Sequence, residues 1–320
     1  MRNEEHIPVM LVEVLAALAP QERTAPSTYT DCTAGLGGHA AAVARQLPAG
    51  STVVLNDLDA GNLEHASARV KEASPAVSVH GHHGSFAALP RWMESQQLSA
   101  DLVLADLGFA SPQVDDPQRG LSFLRDGPLD MRFDTRTGRA TAAELVASLP
   151  EADLAQIFFE WGEERHSRAV ARGIVDARKR GPLSTTGQLA EVVRLSLRGK
   201  VPPREVTGID PATKTFQALR IAVNDEIGSL MGLLDAVEKG ARALRSGKPS
   251  WLAPGAVLCV LTFHSLEDRP VKQAFARLVE QGLALEGTPK GKPLAPGDEE
   301  VRANPRARSA KMRAIRLLKP

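Results

Sequence analysis

Cysteine is nearly absent: 320 residues contain two, Cys32 and Cys259. That excludes a disulfide framework and a cysteine-rich zinc site, and predicts two reduced, buried thiols. Aromatic residues are scarce too, at 4% with a single tyrosine and three tryptophans, so extended stacking platforms for single-stranded nucleic acid are not expected. No apolar run approaches the length of a membrane span; the longest, residues 256–263, suits a buried strand. The opening Met1-Arg-Asn-Glu-Glu-His6 lacks an apolar signal region, and its glutamates argue against an import peptide. The expectation is a soluble, cytoplasmic protein with no membrane partner.

With 43% hydrophobic and 24% charged residues, the chain can bury a sizeable core. The formal charge of +1 conceals an uneven distribution. Residues 165–204 hold ten Lys or Arg against two acids, Asp176 and Glu191, and residues 302–319 hold seven basic residues and no acid. Such clustering is an electrostatic footprint for phosphate, although a solvated helix face and a basic tail would read the same way.

Strands and helices alternate through the first hundred residues. Strands are expected at 27–33, 52–56, 77–80 and 102–105, and helices at 39–47, 61–73 and 86–97. Apolar strands separated by helices imply an α/β fold with a parallel, doubly wound sheet covered on both faces. After Asp106 the pattern breaks. Residues 108–135 read as a long ordered loop rich in Gly, Pro, Asp and Ser, and residues 141–204 as helical throughout. One of these helices is introduced by a capping-box pattern, Ser184-Thr-Thr-Gly-Gln188. Strand signal returns at 256–263 and 312–317, while residues 287–304 read as an exposed, mobile loop. The organisation is therefore a discontinuous sheet domain, residues 1–110 and 214–320, with a loop and all-helical insertion at 111–213 for RNA or substrate recognition.

The strongest constellation is Asp31-Cys-Thr-Ala-Gly35-Leu-Gly37-Gly38-His39. Glycines directly after the first strand let the backbone turn sharply and approach a ligand, and the helix start that follows suits a carboxylate or phosphate. Gly35, Gly37 and Ala40 formally satisfy G-x-G-x-x-A, so a nicotinamide-dependent oxidoreductase has to be weighed. Two acids favour a different ligand. Asp57 ends the second strand, where a carboxylate can accept from ribose hydroxyls. Asp31 is awkwardly placed beside a pyrophosphate but well placed near the ammonium of a methionine moiety. That charge argument favours S-adenosylmethionine over NAD. Asp106 ends the fourth strand, and ligands of open α/β sheets bind beyond the carboxyl ends of strands; a capping aspartate is the plainer alternative. His80, His82 and His83 have metal-like spacing but no accompanying Cys or acid cluster, so no metal is expected, only a loop with local polar contacts.

At this point the residues resemble a known family. His6-Ile-Pro-Val-Met, the Asp31–His39 block, Asp106-Leu-Gly-Phe-Ala-Ser-Pro-Gln113 and Arg119-Gly-Leu-Ser-Phe123 are similar to the ribosomal RNA small subunit methyltransferase H family, also called MraW. The likeness continues through Gly127-Pro-Leu-Asp-Met-Arg132, Trp161-Gly-Glu-Glu-Arg165 and Pro211-Ala-Thr-Lys-Thr-Phe-Gln-Ala-Leu-Arg220. It closes with Phe263-His-Ser-Leu-Glu-Asp-Arg269 and Asn304-Pro-Arg-Ala-Arg-Ser-Ala-Lys311, so it covers nearly the whole chain. The resemblance implies a class I, Rossmann-like methyltransferase sheet with an inserted helical domain, using S-adenosyl-L-methionine for N4-methylation of a cytidine in the decoding region of small-subunit (16S) ribosomal RNA. It implies cofactor contacts at Gly37, Gly38, His39, Asp57, Phe86, Asp106 and Gln113. Departures from the family pattern are Phe109-Ala110 for Val-Ser, Leu121 for Phe, and Ala60 for proline. None removes an assigned cofactor residue; the first two lie in the substrate loop.

The exocyclic amine of cytosine is a poor nucleophile, so the demands on the protein are alignment and acceptors on the amino hydrogens. Asp106 with nearby loop carbonyls is expected to form that acceptor set. The segment carrying Phe263, His264 and Ser265 is expected to hold the flipped cytidine, against the alternative of a core Phe and a structural His. Arg306, Arg308, Lys311 and Arg313, with residues 165–204, are expected to track RNA, either free or in the assembled small subunit, and no DNA partner is expected: enzymes that methylate DNA amines carry Asn/Asp-Pro-Pro-Tyr/Phe where this chain has Asp106-Leu-Gly-Phe. A non-catalytic RNA-binding assembly factor is the competing class.

Overall fold

Alternation of apolar side chains with a period of two builds a sheet with two buried faces. In β1 (Thr28–Asp31), β2 (Thr52–Asp57) and β4 (Ala100–Asp106), Tyr29, Val53, Leu55, Leu102 and Leu104 enter one core, while Val54, Val103 and Ala105 enter the other. The structure is a computed structural model and describes residues 8–108, 111–136, 138–201 and 208–319, with the backbone alone at Ser111 and Pro112. His6, Ile7, Phe109, Ala110 and Arg204 of the sequence motifs lie outside these residues.

The chain divides into two units, breaking after Gly108 and after Glu226. In the first, β3 (Ser78–His83), β5 (Leu252–Thr262), β6 (Ala284–Glu286) and β7 (Lys311–Leu317) complete a seven-stranded sheet ordered β3-β2-β1-β4-β5-β7-β6. The five strands from β3 to β5 are parallel, as expected. The far edge is not: β7 runs antiparallel to both β5 and β6. β6 escaped the sequence because it has three residues, of which only Ala284 is buried. One core is covered by α4 (Leu89–Ser95), α11 (Glu226–Arg245) and α12 (Ser265–Glu280). The other is covered by α1 (Leu11–Leu18), α2 (Gly38–Ala44) and α3 (Ala60–Ala73). Cys32 and Cys259 are free and buried in opposite cores, and burial pushes both thiols far above their ordinary range.

Two local expectations are corrected. The histidines at 80, 82 and 83 belong to strand β3 rather than a loop; His82 Nδ1 lies 2.6 Å from Asn56 Oδ1 and His83 Nε2 2.8 Å from the Leu58 carbonyl. Residues 287–304 are not featureless. They contain α13 (Asp298–Ala303), a buried Thr288 and a bridge from Leu294 to Met312.

The second unit has its own core, built by α6 (Ala142–Ser148), α7 (Glu151–Glu160), α8 (Ser167–Arg178), α9 (Thr186–Leu197) and α10 (Thr213–Asn224). Capping boxes open α6, at Thr141 and Glu144, and α9, where the cap is Thr185 with Gln188. The long loop before α6 holds a short helix, α5 (Ser111–Asp115). The unit ends after Glu226 instead of 213 because α10 buries Phe216, Leu219 and Val223 in this core. Asn224, 5% exposed, then ties α10 to the loop: its amide donates to the Met131 carbonyl and its oxygen accepts from Phe133 N–H at 2.8 Å each. Leaving two buried backbone groups unpaired costs about 2–4 kcal/mol. Asn224→Ala should therefore speed hydrogen exchange at the Phe133 amide by about tenfold or more; exchange at the wild-type rate would show that the tie is not holding the loop.

Candidate active site

Three adjacent strands each end in an aspartate: β2 at Asp57, β1 at Asp31 and β4 at Asp106. Parallel pairing aligns these strand ends, so the three carboxylates share the carboxyl end of the sheet. The loop after β1 is stapled to both neighbours. Cys32 N–H donates to the Leu104 carbonyl and Ala34 N–H to the Asn56 carbonyl, at 2.8 Å each. Gly35 N–H donates to Asp57 Oδ2 at 2.8 Å, and Asp106 N–H donates to the Thr33 hydroxyl at 2.7 Å. Asn56, 1% exposed, also donates to the Cys32 carbonyl.

The aspartates differ in how their charge is met. Asp31 accepts from the Tyr29 hydroxyl at 2.9 Å and from Thr33 N–H at 3.1 Å; burial still pushes its carboxyl up to about 6. Burial also raises Asp57, against the pull of hydrogen bonds from the Asp59 and Gly35 amides. Asp106 is the most perturbed. Burial pushes it up to about 8, with the charges of Asp31 and Glu267 adding to the effect. Its Oδ1 is buried without a hydrogen-bond partner, and Oδ2 lies 3.5 Å from His39 Nδ1. Among the described residues, no lysine or arginine pairs with any of the three.

The glycine loop meets the protein's own chain. Gly37 sits at φ +75°, and a Cβ there would lie 2.7 Å from Ala66 Cα; one at Gly38 would lie 2.5 Å from Pro8 Cγ. Pro8 thus packs on the start of the seven-residue α2, where the sequence suggested an open anion-binding end. His39 is buried at the same place, with Nε2 3.0 Å from the Val9 carbonyl.

At the end of β5, Phe263 is half-buried and faces Gly108, and His264 caps α12. Both ring nitrogens of His264 are buried without a hydrogen bond; Glu267 Oε1 lies 3.1 Å from Nε2 but off the hydrogen-bond axis. Glu267, 3% exposed, receives Phe263 N–H on its other oxygen at 2.8 Å. Ser265 opens α12 in an exposed position. Phe86 is half-buried against the core shared by α4 and α11. Gln113 lies in the helical unit, buried on α5. The sheet thus brings together Asp31, Asp57, Asp106, His39 and the α12 start. Sequence reasoning missed Tyr29, Thr33, Asn56 and Glu267. Tyr29 and Asp31 stand two apart on one strand and Glu267 stands three after His264, so both spacings were visible.

The profile of the MraW methylase family matches residues 3–318. The chain belongs to this family. Proteins named "Ribosomal RNA small subunit methyltransferase H" are similar over almost the full length. That of Sorangium cellulosum is 44% identical over 316 residues, covering 98% of this chain and 91% of the relative. Those of Paramagnetospirillum magneticum and Acidobacterium capsulatum are each 42% identical, covering 98% of this chain and 96% and 99% of the relatives. As an MraW methylase the protein is a methyltransferase, and S-adenosylmethionine is its methyl donor.

The residues fit that donor. An unpartnered carboxylate oxygen among three aspartates that no described lysine or arginine pairs with suits a cation, and the donor carries a sulfonium and an ammonium. The same charge opposes the pyrophosphate of a dinucleotide, against the NAD reading.

Without ligand, this charge burdens the fold. Asp106 has a folded pKa above its unfolded value, so the folded state holds the extra proton and stability falls as pH rises from about 4 to about 8. Asp106→Asn removes that dependence. The ligand-free variant should melt higher than wild type, with a gain about 2 °C or more larger at pH 9 than at pH 5; equal gains at both pH values would remove the charge explanation.

Proposed function

We propose that this MraW methylase transfers a methyl group from S-adenosylmethionine to N4 of a cytidine in the decoding region of small-subunit ribosomal RNA, in the cytoplasm. The carrying observation is the buried, unpartnered Asp106 Oδ1 at the end of β4, an acceptor held ready for an amino hydrogen. The relatives' names point to the RNA. The bound donor supplies an electrophilic methyl on a sulfonium. Asp57 fixes the glycine loop through Gly35 and keeps lone pairs for ribose hydroxyls. Asp106 accepts from the cytosine amine, localising the nitrogen lone pair and then taking its proton. His264, whose buried ring nitrogens make no hydrogen bond and whose Nε2 lies 3.1 Å from Glu267 Oε1, is the group for the cytidine itself, and Phe86 and Gln113 are the remaining donor contacts that the family resemblance implies. Ser265, exposed at the first turn of α12, is kept as a contact to the nucleotide.

The basic residues divide into two kinds. Arg178 donates to the Val146 and Leu149 carbonyls at 2.8 Å each, Arg194 forms a bidentate pair with Asp210, and Arg313 is 6% exposed in a pair with Asp268. These are structural, which corrects the expectation for Arg313. Exposed Arg165, Arg168, Arg180 and Arg198 in the helical unit and Arg308 in the sheet unit are the candidates for phosphate, whereas Lys200 donates to the Ser196 carbonyl and Lys311 pairs with Asp268.

Incubating unmodified small ribosomal subunits with the protein and methyl-labelled donor should yield labelled N4-methylcytidine on nucleoside mass spectrometry. Asp106→Asn should lower the rate by more than about tenfold. Label on another nucleoside would overturn the base assignment; no label despite donor binding would favour a non-catalytic assembly factor. Affinity for the RNA should fall about tenfold or more between ~50 and ~200 mM salt, and a salt-independent affinity would remove phosphate tracking.

A further inference from the structure

His39 heads the helix that follows the glycine loop, and its ring is turned toward the protein on both sides. A carbonyl oxygen only accepts, so the 3.0 Å contact with the Val9 carbonyl places a proton on Nε2. In a neutral ring Nδ1 then presents its lone pair to Asp106 Oδ2, 3.5 Å away. Two lone pairs facing each other repel unless a proton lies between them, on Nδ1 or on Oδ2. The anchor for this arrangement is the N-terminal segment. Met10 adopts φ +52°, and its N–H donates to Glu300 Oε1 of α13 at 2.6 Å, which aims the preceding Val9 carbonyl at the ring while Pro8 packs on Gly38.

We propose that His39 and Asp106 form a proton-sharing pair, in which His39 is the positioning residue that holds a proton at Nδ1 and leaves the Asp106 carboxylate open to the substrate amine through Oδ1. This role presupposes the cytidine reaction proposed above and gives His39 a task other than touching the donor. The proton balance is simple. The amine nitrogen gains a methyl and gives one N–H proton to Asp106 Oδ1. With Nδ1 already protonated, the carboxylate is anionic when the proton arrives, and the pair returns the surplus proton to solvent after product leaves. The surroundings explain why a partner is needed. Asp31 from β1 and Glu267 from α12 face Asp106 with like charge, and the Cys259 thiol of β5 stays protonated beside it. Asp57 of β2 faces Asp31. Arg69 of α3 is occupied at the Leu36 carbonyl, 3.5 Å away. Among the described residues, His39 is the ionic partner of Asp106.

Nitrogen-15 NMR of the histidines in the ligand-free protein reads the pair directly and without RNA. His39, identified by its loss in His39→Gln, should carry its proton on Nε2 when neutral, and Asp106→Asn should move its titration midpoint by about one pH unit or more. An Nδ1–H tautomer, or a midpoint indifferent to Asp106→Asn, would overturn the pair. In kinetics, His39→Gln should lower kcat about tenfold or more and shift its pH profile, while affinity for S-adenosylhomocysteine by calorimetry stays within about threefold. A variant that loses that affinity but keeps kcat and its pH profile would make His39 a donor contact instead. Because the titration needs no substrate, a failed pair and a failed RNA assignment give different results.

Discussion

The gathering of three carboxylates at one end of a parallel sheet, with no lysine or arginine paired to them among the described residues, is the constraint on which this structure turns. Each aspartate ends an apolar strand buried on both sides, so each is drawn out of water as a consequence of forming the sheet. Asp31 and Asp57 are partly compensated, by Tyr29, Thr33, Gly35 and Asp59. Asp106 has only the His39 ring beside Oδ2, while Asp31 and Glu267 add like charge. The glycine loop is shaped as much by these staples, and by Ala66 and Pro8, as by a ligand.

Much of this could be read in the sequence because the relevant signals are local. Continuous apolar runs alternating with helices mark the strands, acids mark the carboxyl ends of three of them, and two isolated cysteines are two buried thiols. What stayed hidden depends on contacts between distant residues. Arg313 looks like part of a basic tail, yet β7 pairs with β5 and carries it to Asp268, 45 positions earlier. The second boundary is not legible to better than 213 because the helical pattern does not say which core receives α10; the burial of Phe216 and the Asn224 tie decide it. β6 is too short for any period to show, and α13 gains its place through Met10, 290 positions away.

The helical unit solves a separate problem. Its long loop threads tightly through close approaches that only glycine allows, with a Cβ at Gly120 or Gly127 falling on the Pro128 or Pro117 carbonyl oxygen. Asn224 and the core of α6 to α10 then hold that loop from within the same unit. Stability and charge are distributed over different residues of its surface: Arg178 caps the Val146 and Leu149 carbonyls and Arg194 pairs with Asp210, while Arg165, Arg168, Arg180 and Arg198 are exposed.

Two demands that pull against each other fall on different residues. Proton handling requires groups kept out of water at fixed distances, and those surrounding Asp106 come from residues 8–10, 31, 33, 39, 267 and 300, all within the sheet unit. Recognition of a large anionic partner requires the opposite: exposed, hydrated cations that can be exchanged without disturbing a core. Three strand ends that meet make the carboxylate cluster as rigid as the sheet, and a cationic ligand bound there would relieve the destabilising charge, so binding and folding would reinforce each other. A lysine introduced beside Asp106 would raise the stability of the ligand-free protein, because it would meet the negative charge that burial and the neighbouring Asp31 and Glu267 leave uncompensated.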